Sequence, residues 1–147
     1  MDNLPDIWNL RVYGLLICDG KVLLTDEVRN GMQMTKFPGG GMEFGESFTS
    51  CLQREFMEEM QQEIKVNELF YHNDFLQISA FNPREQLISF YYKVTLVGSP
   101  RFDCVEKPFT FKEGEIQCFR WADLKQLKPE DLTFPIDKIV AQKLADL

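Results

Sequence analysis

A chain of 147 residues, 44% hydrophobic and 27% charged, has the length of one ordinary domain and the composition of a soluble globular one. Its net charge of −7 excludes a nonspecific nucleic-acid binder, which needs a basic face; an anionic ligand has to be met through bound cations and local Lys or Arg. The opening MDNLPDIW lacks an h-region and no apolar run approaches about 18 residues, so neither a leader nor a membrane span is expected and the cytoplasm is the default compartment.

Taken in order, Leu10 to Cys18, then Asp19-Gly20, then Lys21 to Thr25 predicts a hairpin, because Asp-Gly favours a type I′ turn. The polar run from Asp26 to Gln33, which contains Gly31, reads as a loop, and a short strand from Met34 to Phe37 leads through Pro38 into Gly39-Gly40-Gly41. The three glycines permit positive φ and close backbone approach. Ser47 is placed to cap a helix, since the run after it is free of Gly and Pro. Phe48, Leu52, Phe56 and Met60 recur every four residues and form an apolar stripe that can dock on a sheet.

Beyond that helix, Ile64 to Ala80 is strand-like but broken by polar residues, Asn82-Pro83-Arg84 is a turn, and Leu87 to Val97 is the cleanest strand. In it Ile88, Phe90, Tyr92, Val94 and Leu96 face one way by strict alternation, and Tyr91, on the other face, is free to line a ligand pocket. Gly98 to Gly114 holds two prolines and little periodicity, and a loop of that length is often functional. Its Phe109-Thr110-Phe111 serves equally well as a stacking edge or as packing beneath a surface loop. Glu115 to Trp121 predicts a strand, Ala122 to Leu127 a short helical turn, and Pro135 opens a helix that runs to Leu147. A mixed sheet between two helices makes one α/β sandwich over residues 1–147. The four cysteines form no CxxC pair and no zinc spacing, so buried thiols are expected in place of disulfides. His72, the single histidine, is read as packing or surface, and Lys36, just before the glycine turn, as an exposed lysine in preference to a phosphate contact.

The chemistry is concentrated in Arg54-Glu55-Phe56-Met57-Glu58-Glu59. At about 100° per residue, Glu55, Glu58 and Glu59 fall within an arc of roughly 100° on one side of the helix. An acidic run of this kind is by itself most often a solvated helix face. Here it costs a few tenths of a kcal/mol per like-charged pair, and it follows a glycine turn whose carbonyls are further hard oxygen donors. An oxygen-only set of this type suits Mg²⁺ or Mn²⁺.

These residues resemble the signature of the Nudix hydrolases, G-x5-E-x7-R-E-U-x-E-E-x-G-U, with U a bulky aliphatic or aromatic residue. Gly40, Glu46, Arg54, Glu55, Phe56, Glu58 and Glu59 occupy the matching positions at the matching spacing. Gln61 stands where the pattern has glycine and Gln62 where it has the last bulky residue. The resemblance extends more weakly through Phe37-Pro38-Gly39-Gly40, Arg120-Trp121 and Leu132-Thr133-Phe134-Pro135.

The resemblance implies a Nudix-like α-β-α sandwich with a mixed central sheet. It also implies Mg²⁺-dependent (or Mn²⁺-dependent) cleavage of the pyrophosphate linkage in a nucleoside diphosphate joined to another moiety. Glu55, Glu58, Glu59 and the Gly39 carbonyl would hold the metal, and Arg54 would pair with Glu46 and position Glu55. The i,i+4 relation of Arg54 to Glu58 equally permits a helix-surface pair. Glu43 either binds metal or braces the loop. Family members often take a further glutamate from a later loop as base or ligand; Glu113 and Glu115 both suit that role, with Glu115 favoured by its spacing to Trp121. The partner would be a small molecule, with no nucleic acid and no membrane; a homodimer is common in the family, and the oligomeric state stays open. Two other readings are a non-catalytic Nudix-fold domain that binds nucleotides or sugar nucleotides, favoured slightly by Gln61 and Gln62, and an isomerase of prenyl diphosphates, for which no cysteine-and-glutamate pair is evident.

Overall fold

A computed structural model describes residues 4–147. The centre of the molecule is β1 (Ile7–Cys18), a strand long enough to serve two groups of neighbours. Its far end turns through Asp19-Gly20, both at positive φ as a type I′ turn requires, into β2 (Lys21–Arg29). Over most of its length β1 instead pairs in parallel with β6 (Glu85–Leu96), from Ile7 opposite Glu85 to Leu16 opposite Val94. β5 (Ile64–His72) lies antiparallel on the outer side of β6. β3 (Met32–Lys36) and β7 (Gln117–Asp123) flank β2, and β4 (Gly39–Gly41) pairs with β1. The result is one seven-stranded mixed sheet in the order β3-β2-β1-β6-β5, with β4 and β7 off that path.

Two helices cover opposite faces. α1 (Phe48–Met60) buries Cys51, Leu52, Phe56 and Met60 against Val12, Leu16, Leu23 and Val94. The predicted four-residue stripe therefore docks, with Cys51 added and Phe48 only partly covered. Gly14 is required beneath it, because a Cβ there would stand 2.7 Å from the Phe56 ring. α2 (Pro135–Ala145) buries Ile136, Val140, Ala141 and Leu144 against Tyr13, Leu15, Leu24 and Tyr91 on the other face. Pro135 opens α2 as expected, but the helix stops at Ala145, and Lys143 and Leu147 are exposed. No helix among the described residues is long and apolar enough to cross a membrane, and all four cysteines are free thiols.

Several boundaries differ from the sequence expectation. The run from Asp26 to Gln33 is a second hairpin: β2 continues to Arg29 and turns through Asn30-Gly31, both at positive φ, into β3. The polarity that suggested a loop belongs to strand residues facing a cavity and to a type I′ Asn-Gly turn. The glycine triplet is extended and hydrogen-bonded to β1, and the turn proper lies at Gly45. The last strand begins at Gln117 and takes in Ala122 and Asp123, so Glu115 precedes it and only residues 124–126 turn. Lys36 is not exposed: its side chain keeps 11% of its accessibility, covered by the cavity wall and paired with Glu27.

Candidate functional site

Ser47 and Ser50 fix the start of α1 by exchanging hydrogen bonds: the Ser47 Oγ accepts from the Ser50 amide at 3.0 Å, and the Ser50 Oγ accepts from the Ser47 amide at 2.9 Å. The helix ends at Gln61, which takes the left-handed conformation (φ 53°) that glycine would take at lower cost. The substitution thus leaves the helix stop where the pattern puts it. Gln62 is fully buried; its Oε1 accepts from the Arg101 amide at 2.8 Å and its Nε2 donates to the Glu63 carbonyl at 2.8 Å. A residue that breaks the apolar pattern is here a tether between the end of α1 and the long loop before β7.

Arg54 organises the acidic face. It donates to both oxygens of Glu46, to Glu55 Oε1 at 2.9 Å, to Glu58 Oε2 at 3.1 Å and to the Gly41 carbonyl at 3.0 Å. Hydrogen bonding to Arg54 holds the Glu46 carboxyl down at about 2, and Glu46 holds the Arg54 guanidinium above its ordinary range. The pairing with Glu46 and the helix-surface pair with Glu58 coexist on one guanidinium. Glu43 contributes its amide to Glu46 at 2.8 Å, while its carboxylate is largely exposed and 3.8 Å from Arg54.

The three glutamates point in different directions. Glu55 turns towards the glycine strand, where a Cβ on Gly40 would stand 2.5 Å from a carboxylate oxygen, so only glycine lets the acid lie there. Glu58 reaches the surface. Glu59 enters the interior, where Gln117 donates to Oε1 at 3.3 Å and the buried Oε2 has no hydrogen-bond partner. Burial pushes the Glu59 carboxyl up to about 7, against the opposing pull of Lys36 and Gln117. Among the described residues no three His, Cys, Asp or Glu side chains form a ready-made metal cluster. The donors nevertheless fit a hard divalent ion: all are oxygens, one buried carboxylate oxygen is unsatisfied, and Gly39, at a position of β4 not hydrogen-bonded to β1, aims its carbonyl away from that strand.

Glu115 lines a cleft of about 270 Å³ together with Glu58, Glu59, Lys112 and Gln117, at the mouth of the long loop. Glu113 is exposed and does not line that cleft. The loop is pinned at Phe109, whose amide donates to the buried Asp26 at 3.2 Å; Asp26 in turn is gripped by Arg120 and Thr35. Phe109 and Phe111 meet edge to face and are half-buried, in line with packing under the loop.

Sequence reasoning did not find the cavity on the other side of the sheet, about 290 Å³, walled by β1, β2, β3, β6 and the first turn of α2. Its lining includes Arg11, Tyr13, Glu27, Lys36, Tyr91 and Asp137. Burial lowers the basicity of Arg11 and Lys36, but Tyr13 and the carboxylates of Glu55 and Asp137 around Arg11, and Tyr13 and Glu27 around Lys36, outweigh it and raise both. Asp137 is buried and accepts a short hydrogen bond from the Tyr91 hydroxyl; burial carries its carboxyl up to about 7. Only Tyr91 was placed on a pocket by its alternation, because isolated charged residues on separate strands carry no spacing signal.

The NUDIX domain family model matches residues 8–143. Among solved structures, a NUDIX hydrolase from Nitrosomonas europaea superposes with a TM-score of 0.68 at 21% identity, over 94% of this chain and 88% of that one. The MutT protein from Methanosarcina mazei Go1 gives 0.68 at 15% identity, over 97% and 96%. An ADP-ribose pyrophosphatase from Streptococcus suis 89-1591 gives 0.60 at 19% identity, over 93% and 87%. At these identities the likeness is one of fold.

Proposed function

The chain belongs to the NUDIX domain family, and on that premise we propose that it is a pyrophosphohydrolase that uses Mg²⁺ or Mn²⁺ to cleave the diphosphate linkage of a small nucleoside diphosphate derivative. One observation carries the reading: Arg11 lines a cavity of ligand size and reaches the glycine strand, 3.5 Å from where a Gly41 Cβ would be and next to the Gly40 against which Glu55 lies. Relatives of the same fold include proteins described as an ADP-ribose pyrophosphatase and a UDP-X diphosphatase, which supports the diphosphate class without choosing a member.

In this reading Glu55, Glu58, Glu59 and the Gly39 carbonyl hold the divalent ion, which when bound neutralises phosphate charge and polarises the attacking water. Arg54 keeps Glu55 and Glu58 in place from the Glu46 side. Arg11 and Lys36 orient the phosphates from the cavity side. Glu115, at the mouth of the long loop, accepts the proton from water when the loop brings its carboxylate to hydrogen-bonding distance, about 2.6–3.2 Å. Glu113, on the outer side of Gly114, is the second candidate for that step.

A binding domain without turnover is the second reading, supported by Arg54, whose guanidinium pairs with Glu55 and Glu58 and so competes with a cation for those carboxylates. Product release measured with Mg²⁺ over a panel of nucleoside triphosphates, ADP-ribose, nucleotide sugars and dinucleoside polyphosphates separates the two. Release above background, abolished by chelation, supports the hydrolase; tight binding without release across the panel sinks it.

A further inference from the structure

We propose that Gln117 is a positioning residue: its side-chain amide, at the start of β7, sets the direction of Glu59 and ties that acid to the Glu27–Lys36 pair of the β2–β3 hairpin. The inference rests on the hydrolase reading of Glu59 and adds what holds that carboxylate ready for a divalent ion.

The strand register brings these side chains together. Gln117 lies directly opposite Glu27 in the β2–β7 pairing, so the two leave the same face of the sheet. Thr25, two residues back along β2, shares that face, and so does its own partner on β3, Lys36. Leu23 and Phe119, again two residues along each strand, belong to the core beneath α1. The helix therefore lies over this face, and Glu59 meets the group from above.

The Gln117 Nε2 stands 3.1 Å from Thr25 Oγ1, 3.1 Å from Glu27 Oε2 and 3.3 Å from Glu59 Oε1. It has two hydrogens to divide among them, and no contact is short. Glu27 is held on its other oxygen by Lys36 Nζ at 3.0 Å. The line Lys36, Glu27, Gln117, Glu59 thus joins β3, β2, β7 and α1 through side chains alone.

An amide is the side chain this position calls for. Lys36 and the two carboxylates leave one net negative charge, and a neutral donor orients Glu59 without cancelling it. A lysine at 117 would take up that charge and compete with a cation, whereas a glutamate would offer only acceptors to two carboxylates. Gln117 also engages a single oxygen of Glu59. The other, Oε2, is buried without a partner, a costly state that a bound cation relieves. Partners of this outer kind fix the orientation of a ligating carboxylate.

Isothermal titration of the full chain with Mn²⁺ alone tests the assignment without substrate or turnover. Gln117→Met keeps the length of the side chain and removes the donor, and should weaken Mn²⁺ binding by about tenfold or more. In the Glu59→Gln background, where Mn²⁺ is already weakened, Gln117→Met should add no further loss, because the group it positions is gone. A packing defect would lower affinity in both backgrounds alike. Thermal melts in EDTA check each fold; if Gln117→Met does not fold, Gln117→Asn, whose donor falls a methylene short of Glu59, carries the same expectation. Unchanged Mn²⁺ affinity in the Gln117 variant, or an equal loss in both backgrounds, overturns the proposal and leaves the hydrolase reading standing. Absence of Mn²⁺ binding by the wild type overturns the metal assignment and this proposal with it. A chain that binds Mn²⁺ in the expected pattern but releases no product over the diphosphate panel would sink the hydrolase reading and leave Gln117 in its role.

Discussion

Arg54 grips Glu46 as a fork, Nε to Oε2 at 2.6 Å and Nη2 to Oε1 at 2.9 Å, across the turn that joins β4 to α1. The same guanidinium reaches Glu55, so the geometry of the glycine strand and that of the acidic helix are set by one side chain. Lysine keeps the charge but cannot span three carboxylates and a carbonyl. Arg54→Lys should therefore destabilise the fold by roughly 1–3 kcal/mol, seen as a lower Tm, and should lower kcat more than Glu43→Gln does. Wild-type kcat in Arg54→Lys would remove Arg54 from the positioning role.

Glu58→Gln and Glu59→Gln test the metal assignment. Each should reduce Mg²⁺-dependent turnover by orders of magnitude while the fold survives. For Glu59 the change exchanges an unsatisfied buried acid for a neutral amide of the same shape, so the melt should be unchanged or higher. Retention of full turnover by both variants would show that the divalent ion, if used, is held elsewhere.

Glu115→Gln should cost more in kcat than Glu113→Gln, with little change in stability for either exposed residue. Only Glu115 shares a cleft with Glu58 and Glu59. The acidic limb of the pH–rate profile should move in the Glu115 variant and stay in the Glu113 variant. Equal, small effects would return the base role to a glutamate of α1.

Asp137 makes stability depend on pH in an unusual direction for a carboxyl. Its value in the fold, about 7, lies above the unfolded value, about 3.9, because burial outweighs the Tyr91 hydrogen bond and the pull of Lys36 and Arg11. The protonated form is the one the fold favours, so this contribution is complete below about pH 4 and is lost as the pH rises through about 7. Asp137→Asn can still accept from Tyr91 and carries no charge. In urea titrations its stability relative to wild type should rise between pH 5 and pH 8, by of order 3 kcal/mol. A difference that is flat with pH would mean that Asp137 does not titrate in this window.

Gln61 holds positive φ at the end of α1, a conformation glycine adopts without the Cβ penalty. Gln61→Gly should therefore stabilise the fold, by about 1 kcal/mol in the thermal melt, and leave kcat nearly unchanged. A large gain in rate would instead mark the natural chain as a weakened catalyst and favour the binding reading.

Local signals carried the central part of this molecule. Ser47, the spacing of Phe48, Leu52, Phe56 and Met60, and the Asp19-Gly20 turn each act within a few residues, and each feature stands where the sequence put it. The second hairpin was lost because Asn30-Gly31 lay in a polar run, and that run is polar because Glu27 and Arg29 face a cavity whose existence only the closed sheet reveals. For the same reason Lys36 read as an exposed lysine. Arg11, Lys36 and Asp137 come from β1, β3 and α2, and no periodicity relates them. The box of Gly40, Glu46, Arg54 and the glutamates was readable as a unit, and Arg54 holds Glu55 and Glu58 locally, but the inward turn of Glu59 is met by Gln117, a neighbour distant in sequence.

The parallel register of β1 against β6 also bears on how the chain finds its fold. Hairpins β1–β2 and β2–β3 close over two-residue turns and can form within microseconds. β1 cannot acquire its main partner until Glu85 to Leu96 have been synthesised, and that long loop must be closed before any of its contacts is gained. During this interval α1 has one side of its apolar seat, Val12 and Leu16, and lacks the other, Val94. The nascent chain thus presents Leu52 and Phe56 incompletely covered beside an open strand edge, the condition in which intermediates associate. Refolding yield should fall as protein concentration rises, with the arrival of β6 as the step that ends the exposure.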